Sequence, residues 1–214
     1  MPKTIVLATS NQGKLKEFSA LFKQANLEQY LDLKTLAEFP SFISPEENAP
    51  SFIGNALIKA YHAAEHTGTA ALADDSGLCV DALDSAPGIH SARYATMHNF
   101  QQQGLDKEQL NYSCLLEKMQ SIPQGQRQAH FYCCLVLVRF PRDPEPLIAV
   151  GKCKGEILSA AIGDHGHGYD PVFFSFDLNK SFAQATMEEK NSVSHRTLAF
   201  DNLINAGLKE FFSK

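Results

Sequence analysis

The stretch Ala70-Ala71-Leu72-Ala73-Asp74-Asp75-Ser76-Gly77-Leu78-Cys79-Val80 constrains this chain more than any other. Two short apolar runs flank two adjacent carboxylates. Such runs read as buried strands, and Ser-Gly after the Asp pair reads as the turn that joins them. Carboxylates at the tip of a buried strand pair cost free energy unless a cation offsets them. A divalent metal is the usual answer, and Asp oxygens with water and phosphate oxygens suit Mg²⁺. Asp-Ser-Gly is equally ordinary turn chemistry.

The surrounding pattern sets the fold class. Thr4 to Ala8 reads as a short buried strand, followed by the polar loop Thr9-Ser10-Asn11-Gln12-Gly13-Lys14. Leu15, Phe18, Leu21, Phe22 and Ala25 then recur at helical spacing. Residues 26–50 are irregular, broken by Pro40, Pro45 and Pro50, and carry the acidic pair Glu46-Glu47. Ser51 caps a second helix that runs to about His66, with Gly68 as its stop and Phe52, Ala56, Ala60 and Ala63 as its stripe. A weakly amphipathic helix lies within residues 96–120. His130–Phe140 and Leu147–Ile157 read as an antiparallel hairpin around Pro141 to Pro146. Thr186 and Glu189 have capping-box spacing, and a last helix is predicted from about Ser194 to Phe212. Strand, loop and helix first, with a hairpin later, imply an α/β protein with a mixed sheet rather than a regular doubly wound one.

Composition narrows the function classes. The 214 residues are 44% apolar and 20% charged, enough to bury a sizeable core without disulfides. A net charge of −5 argues against a general nucleic-acid or membrane-surface binder. The apolar start is too short for a signal peptide, and no run approaches the ~20 apolar residues of a membrane helix. The odd count of five cysteines (79, 114, 133, 134 and 153), without a Cys-x-x-Cys pair, suggests reduced, buried thiols in the cytoplasm.

Three further clusters carry chemistry. The Thr9–Lys14 loop opens a helix, where backbone N–H groups and Lys14 favour an anion. It is not a Walker A loop, which would need glycine at Ala8 and a hydroxyl at Leu15. Gly166-His167-Gly168-Tyr169-Asp170-Pro171 has glycines that permit close approach of a ligand. Its His167 and Tyr169 could stack on a base, and Asp170 could accept a hydrogen bond. Lys190, His195 and Arg196 stand at the mouth of the last helix, where the helix dipole disfavours cations and a functional use is therefore favoured.

Taken in order, these motifs resemble one family. Leu7-Ala8-Thr9-Ser10-Asn11-Gln12-Gly13-Lys14, Phe52-Ile53-Gly54-Asn55-Ala56, Ala73-Asp74-Asp75-Ser76-Gly77-Leu78 and Pro87-Gly88-Ile89-His90-Ser91-Ala92-Arg93-Tyr94 begin the match. Gly168-Tyr169-Asp170-Pro171, Glu189-Lys190 and Ser194-His195-Arg196 complete it. The chain is similar to the inosine/xanthosine triphosphate pyrophosphatases, which remove non-standard purine nucleotides. The resemblance implies one two-lobed domain over residues 1–214, with an elongated mixed sheet flanked by helices and a cleft between the lobes. It also implies a cytoplasmic homodimer that needs Mg²⁺ and cleaves ITP, dITP or XTP to the monophosphate and pyrophosphate. A pyrophosphatase for other modified nucleotides, or a nucleotide-binding module without catalysis, are the alternatives.

Carried over by position, the resemblance gives each residue a role. Thr9, Ser10, Asn11, Gln12, Gly13 and Lys14 hold the triphosphate. Asp75 is general base and metal ligand, with Asp74 as its partner and Ser76 at the substrate. Glu47, with Glu46 beside it, is the second metal carboxylate. His167, Gly168, Tyr169, Asp170, Lys190, His195 and Arg196 line the nucleotide pocket, and Lys14 and Lys190 hold the leaving pyrophosphate. The chain departs from the family pattern at Gly54, where glutamate is common, at Asn48-Ala49 in place of Thr-Gly, and at His167 in place of phenylalanine.

Overall fold

The computed structural model describes residues 2–211. Strand β1 (Lys3–Leu7) leads into α1 (Gln12–Gln24), and β2 (Leu31–Thr35) precedes α2 (Phe52–Thr67). Next come β3 (Ala70–Val80), α3 (Tyr94–Met97), α4 (Lys107–Lys118), β4 (Gln128–Val138) and β5 (Leu147–Ile157). The chain continues through β6 (Phe173–Ser175), β7 (Lys180–Ser181), α5 (Met187–Val193), α6 (His195–Asn205) and α7 (Leu208–Phe211). One seven-stranded sheet has the order β2-β1-β3-β4-β5-β6-β7. It is parallel at β2-β1-β3 and antiparallel at β5-β6-β7, the mixed α/β sheet that the sequence implies.

The elements follow from local chemistry. Asn11 caps α1, its Oδ1 accepting from the Gly13 and Lys14 amides. Ser51 caps α2 through the Gly54 amide, and the helix stops at Gly68 in the left-handed region. Thr186 and Glu189 form the capping box of α5, as their spacing predicts.

Three expectations need correction. Ala70–Val80 is one continuous strand, buried along almost its whole length, and the Ser-Gly pair does not turn it. Burial on both faces and ladder pairing override the turn preference of those two residues. The helix expected within 96–120 is α4, separated from the short α3 by Asn99 and Gly104, which take positive φ. The last helix breaks at Gly207, where φ is +100°, and its predicted end at Phe212 lies outside the described residues. The irregular region contains β2, whose short Leu31-Asp32-Leu33 alternation is a weak strand signal.

The chain divides into two compact units. The first comprises Met1–Asp75, Cys133–Gly151 and Thr197–Lys214. Its core packs Ile5, Leu7, Leu72, Leu135 and Leu137 against Phe18 and Phe22 of α1 and Phe200 of α6. The second comprises Ser76–Tyr132 and Lys152–Arg196. Its core gathers Leu78, Val80, Leu115, Met119, Phe131, Phe173 and Phe182. All five cysteines are free and buried. Burial pushes the thiols of Cys134 and Cys153 up to about 12, far from thiolate chemistry. Among the described residues no helix is long and apolar enough to cross a membrane.

Arg127 ties the second unit together. Its guanidinium is buried and donates to four carbonyls: Ile157 (2.7 Å), Met119 (2.8 Å), Ile122 (3.1 Å) and Leu158 (2.9 Å). The fork joins the end of α4 to the end of β5, which no single neutral side chain could do. Arg127→Ala is therefore expected to lower the unfolding free energy by about 3 kcal/mol in urea titration, since several acceptors lose their donor. A loss below about 0.5 kcal/mol would show that those carbonyls find other partners.

Candidate active site

Alternation along β3 decides what each carboxylate can do. Successive strand residues point to opposite faces. Ala70 and Leu72 lie in the core with Phe18, and Asp74 follows them on that face toward α1. There its Oδ1 meets Lys14 Nζ at 2.9 Å. Asp75 points the other way, to α2, where its Oδ1 meets Lys59 Nζ at 2.8 Å. Both carboxylates are buried. The adjacent pair thus does not converge on one point; each carboxylate faces its own lysine.

Lys59 is the residue that sequence reasoning missed. Its ammonium also lies 3.2 Å from Glu47 Oε2, so one cation holds two carboxylates that are distant in sequence. Asn55, one turn earlier on α2, donates its amide to Asp75 Oδ2 at 3.3 Å and accepts from the Ala49 amide at 3.0 Å. The signal was available: Asn55 and Lys59 are four apart on the helix that follows the acidic pair, hence on one face. Both glutamates of the acidic pair are exposed, and Glu47 is the one that meets Lys59 here.

Electrostatics follow from burial. Burial pushes the Asp75 carboxyl above its ordinary range, with Glu47 adding to the rise, while Lys59 and Lys14 pull it back. Burial lowers the Lys59 ammonium, but Asp75, Asp74 and Glu47 outweigh it and leave the ammonium above its ordinary value. Lys59 is therefore a fixed positive charge at neutral pH.

The Thr9–Lys14 loop is partly self-satisfied. Asn11 Oδ1 accepts from the Gly13 amide at 2.9 Å and the Lys14 amide at 3.1 Å, and the Asn11 amide donates to Thr9 Oγ1 at 3.2 Å. Two of the helix N–H groups expected to face an anion are thus capped from within. Ser10 and Gln12 are exposed.

Gly54 has a steric role in this structure. A Cβ at that position would lie 2.5 Å from the Ala49 Cβ. The chain before α2 packs so closely on its first turn that glycine at 54 and alanine at 49 form one fitted contact. A glutamate side chain at 54 would displace the segment that carries Glu47.

The second unit holds the remaining candidates. Arg196 is buried, and its Nη2 donates to Ser76 Oγ at 3.2 Å. His195 is buried, stacked on Phe131 with ring centroids 4.9 Å apart and planes 16° apart. The Gly166–Asp170 loop is tethered at several points. Asp170 Oδ2 accepts from the His167 amide at 2.8 Å and from Lys190 Nζ. The Gly168 amide donates to Glu108 Oε2 at 2.7 Å. Gly166 has φ +80°, and a Cβ there would run into the Asp170 carboxylate.

One assignment changes. Tyr169 is buried in the core, its hydroxyl donating to the Ser91 carbonyl at 2.8 Å, and burial pushes its phenol far up. It anchors the loop rather than offering a face for stacking, whereas His167 is exposed. Lys190 is also buried, paired with Asp170 and 5.5 Å from the Phe182 ring centroid. Its ammonium pairs with Asp170 at the end of that loop.

Among the described residues no three His, Cys, Asp or Glu side chains gather as a metal-binding group. Glu47 and Asp75 nevertheless present hard oxygen donors around a single cationic position, here the Lys59 ammonium. That donor chemistry fits Mg²⁺, which is commonly held by one or two carboxylates and completes its shell with water and phosphate.

Known proteins share this chain's pattern over nearly its full length. The model of the Ham1 family matches residues 5–206. A dITP/XTP pyrophosphatase of Vibrio vulnificus is 45% identical over 97% of this chain and 98% of its own. One from Burkholderia pseudomallei is 46% identical over 94% of this chain and 91% of its own. The solved structure of a HAM1 protein from Coxiella burnetii superposes with a TM-score of 0.85 at 37% identity, covering 98% of this chain and 100% of that one.

The Lys59 charge yields a direct test. Lys59→Met removes a group that lowers the Asp75 pKa, so the Asp75 carboxyl is expected to titrate at higher pH, followed by carboxyl-carbon NMR. A shift to lower pH would mean that Lys59 does not stabilise the carboxylate.

Proposed function

The chain belongs to the Ham1 family, and from that premise we propose that it hydrolyses non-standard purine nucleoside triphosphates, dITP, XTP and ITP, to the monophosphate and pyrophosphate. The observation that carries the reading is Lys59 held between Asp75 and Glu47, with Lys14 on Asp74. Paired buried carboxylates and lysines supply both a base and fixed cations for a polyanion, as phosphoryl transfer requires. The protein acts in the cytoplasm as a homodimer on a small-molecule substrate, and its net negative charge supports no nucleic-acid or membrane role.

The chemistry breaks one phosphoanhydride bond. Glu47 and Asp75 would hold Mg²⁺, which would supply charge neutralisation for the phosphates. Asp75 orients the attacking water and takes its proton. Water oxygen bonds to the α-phosphorus, the bond to the bridging oxygen breaks, and its electron pair leaves with pyrophosphate. Lys14 and Lys59 hold phosphate oxygens through this change, while Asp74 keeps Lys14 in place.

Base choice falls to the second unit. Hypoxanthine and xanthine carry a 6-keto acceptor where adenine carries an amino donor. Arg196 and His195 are buried donors, and a 6-amino group would leave them unpaired. Sites built this way discriminate by up to about 10⁴. Lys190 and Asp170 position the Gly-His-Gly-Tyr loop in this reading.

Pyrophosphate release from dITP, XTP, ITP, GTP and ATP, with Mg²⁺ and with EDTA, tests the proposal. Mg²⁺-dependent release confined to the first three is expected. Tight binding without release would instead mean a nucleotide-binding module. Asp75→Asn should cut kcat by about 10² to 10⁴ with the fold intact, and a folded variant of full activity would remove Asp75 as the base. Arg196→Ala should lower the ITP-to-ATP preference by about ten- to a hundredfold; an unchanged ratio would exclude Arg196 from base selection.

A further inference from the structure

Residues 42–49 have no regular secondary structure, yet the segment 40–49 is tied to α2 at four points. His66 Nε2 meets the Pro40 carbonyl at 3.1 Å, and His62 Nε2 meets the Ile43 carbonyl at 2.7 Å. Lys59 Nζ meets Glu47 at 3.2 Å, and Asn55 Oδ1 accepts from the Ala49 amide at 3.0 Å. The helix positions descend 66, 62, 59, 55 as the segment ascends. Their spacing of four, three and four residues keeps them on one face of α2. Residues 40–49 therefore form a strap that runs antiparallel to the helix.

The upstream end is held by the two histidines and one ring. Phe42 packs edge-on to both imidazoles, with centroids 5.3 Å from His62 and 5.3 Å from His66. Burial contributes little nearby, since Ile43 is 79% exposed. A carbonyl oxygen only accepts, so each imidazole carries its proton on Nε2. That N–H persists when the ring gains a second proton, so the contacts survive in either charge state. Glu47 lies between these anchors and Asn55. Removing the upstream anchors lengthens the free segment that carries its carboxylate and widens the positions it samples.

We propose that His62 and His66 are positioning residues for Glu47: clamping the strap through Pro40, Phe42 and Ile43, they hold the Glu47 carboxylate at the cation position shared with Asp75. The inference rests on the functional reading of Glu47 given above. Groups that orient a metal ligand in this way typically change metal affinity by about ten- to a hundredfold when lost.

The test compares the full-length wild type with a His62→Ala/His66→Ala variant and a His62→Gln/His66→Gln variant, whose amide N–H groups can still donate to the carbonyls. Hydrogen exchange of peptides covering 41–50 and α2 is measured alongside Mg²⁺ titration of dITP hydrolysis. The alanine variant is expected to need about tenfold more Mg²⁺ for half-maximal rate. Its kcat at saturating Mg²⁺ stays near wild type, exchange quickens in 41–50 but not in α2, and the glutamine variant restores most of both. An unchanged Mg²⁺ requirement, or exchange that quickens equally across α2, overturns the proposal. A wild-type protein that releases no pyrophosphate would overturn the functional reading alone. Unchanged exchange in 41–50 of the alanine variant would then still overturn the clamp.

Discussion

A lysine ammonium placed between two carboxylates imposes the central constraint of the first unit. Lys59 is largely removed from water, and burial of an unpaired ammonium would cost several kcal/mol. Asp75 and Glu47 offset that cost from two directions. Asp75 is fixed in a buried strand, so Lys59 must be fixed too, and α2 has to approach β3 closely. The alanines at 56, 60 and 63, all fully buried, permit that approach. Glu47 must then be brought in from a segment without regular structure, which explains why that segment is laced to α2.

The same constraint gives the two carboxylates different work. An aspartate pair in a strand cannot share one partner, because the pleat sends neighbours to opposite faces. Asp74 is neutralised by Lys14 at the start of α1, and Asp75 by Lys59 of α2. Asp75 shares its lysine with a second carboxylate, Glu47. Burial raises the Asp75 carboxyl above the ordinary range while Lys59 restrains the rise.

In the second unit the corresponding device is the Gly166–Asp170 loop, tethered at several points. Asp170, Lys190, Glu108 and the Tyr169 hydroxyl all engage it or its flank. A loop fixed in this way spends little further ordering entropy on binding. Arg196 on Ser76 and His195 on Phe131 are likewise held by neighbours rather than left to search for rotamers.

Much of this was legible in the chain. Hydrophobic spacing located α1 and α2, the Thr186–Glu189 pair located a capping box, and alternating and apolar runs located β4 and β5, because these features depend on residues near one another. The ordered motifs likewise carried the family and the identities of the acidic and basic candidates. The sequence could not decide which partners those side chains would meet. Ser76-Gly77 has turn chemistry and lies in a strand, because pairing and burial on both sides outweigh a local preference of about 1 kcal/mol. Tyr169 looks like a ligand-facing ring in sequence and is a buried anchor, because exposure is set by packing among residues far apart in the chain. Lys59 lies 12 residues from Glu47 and 16 from Asp75, so its role exists only once α2 is laid beside β3. Residue types and local spacing fixed the available chemistry; long-range burial and charge pairing decided which groups perform it.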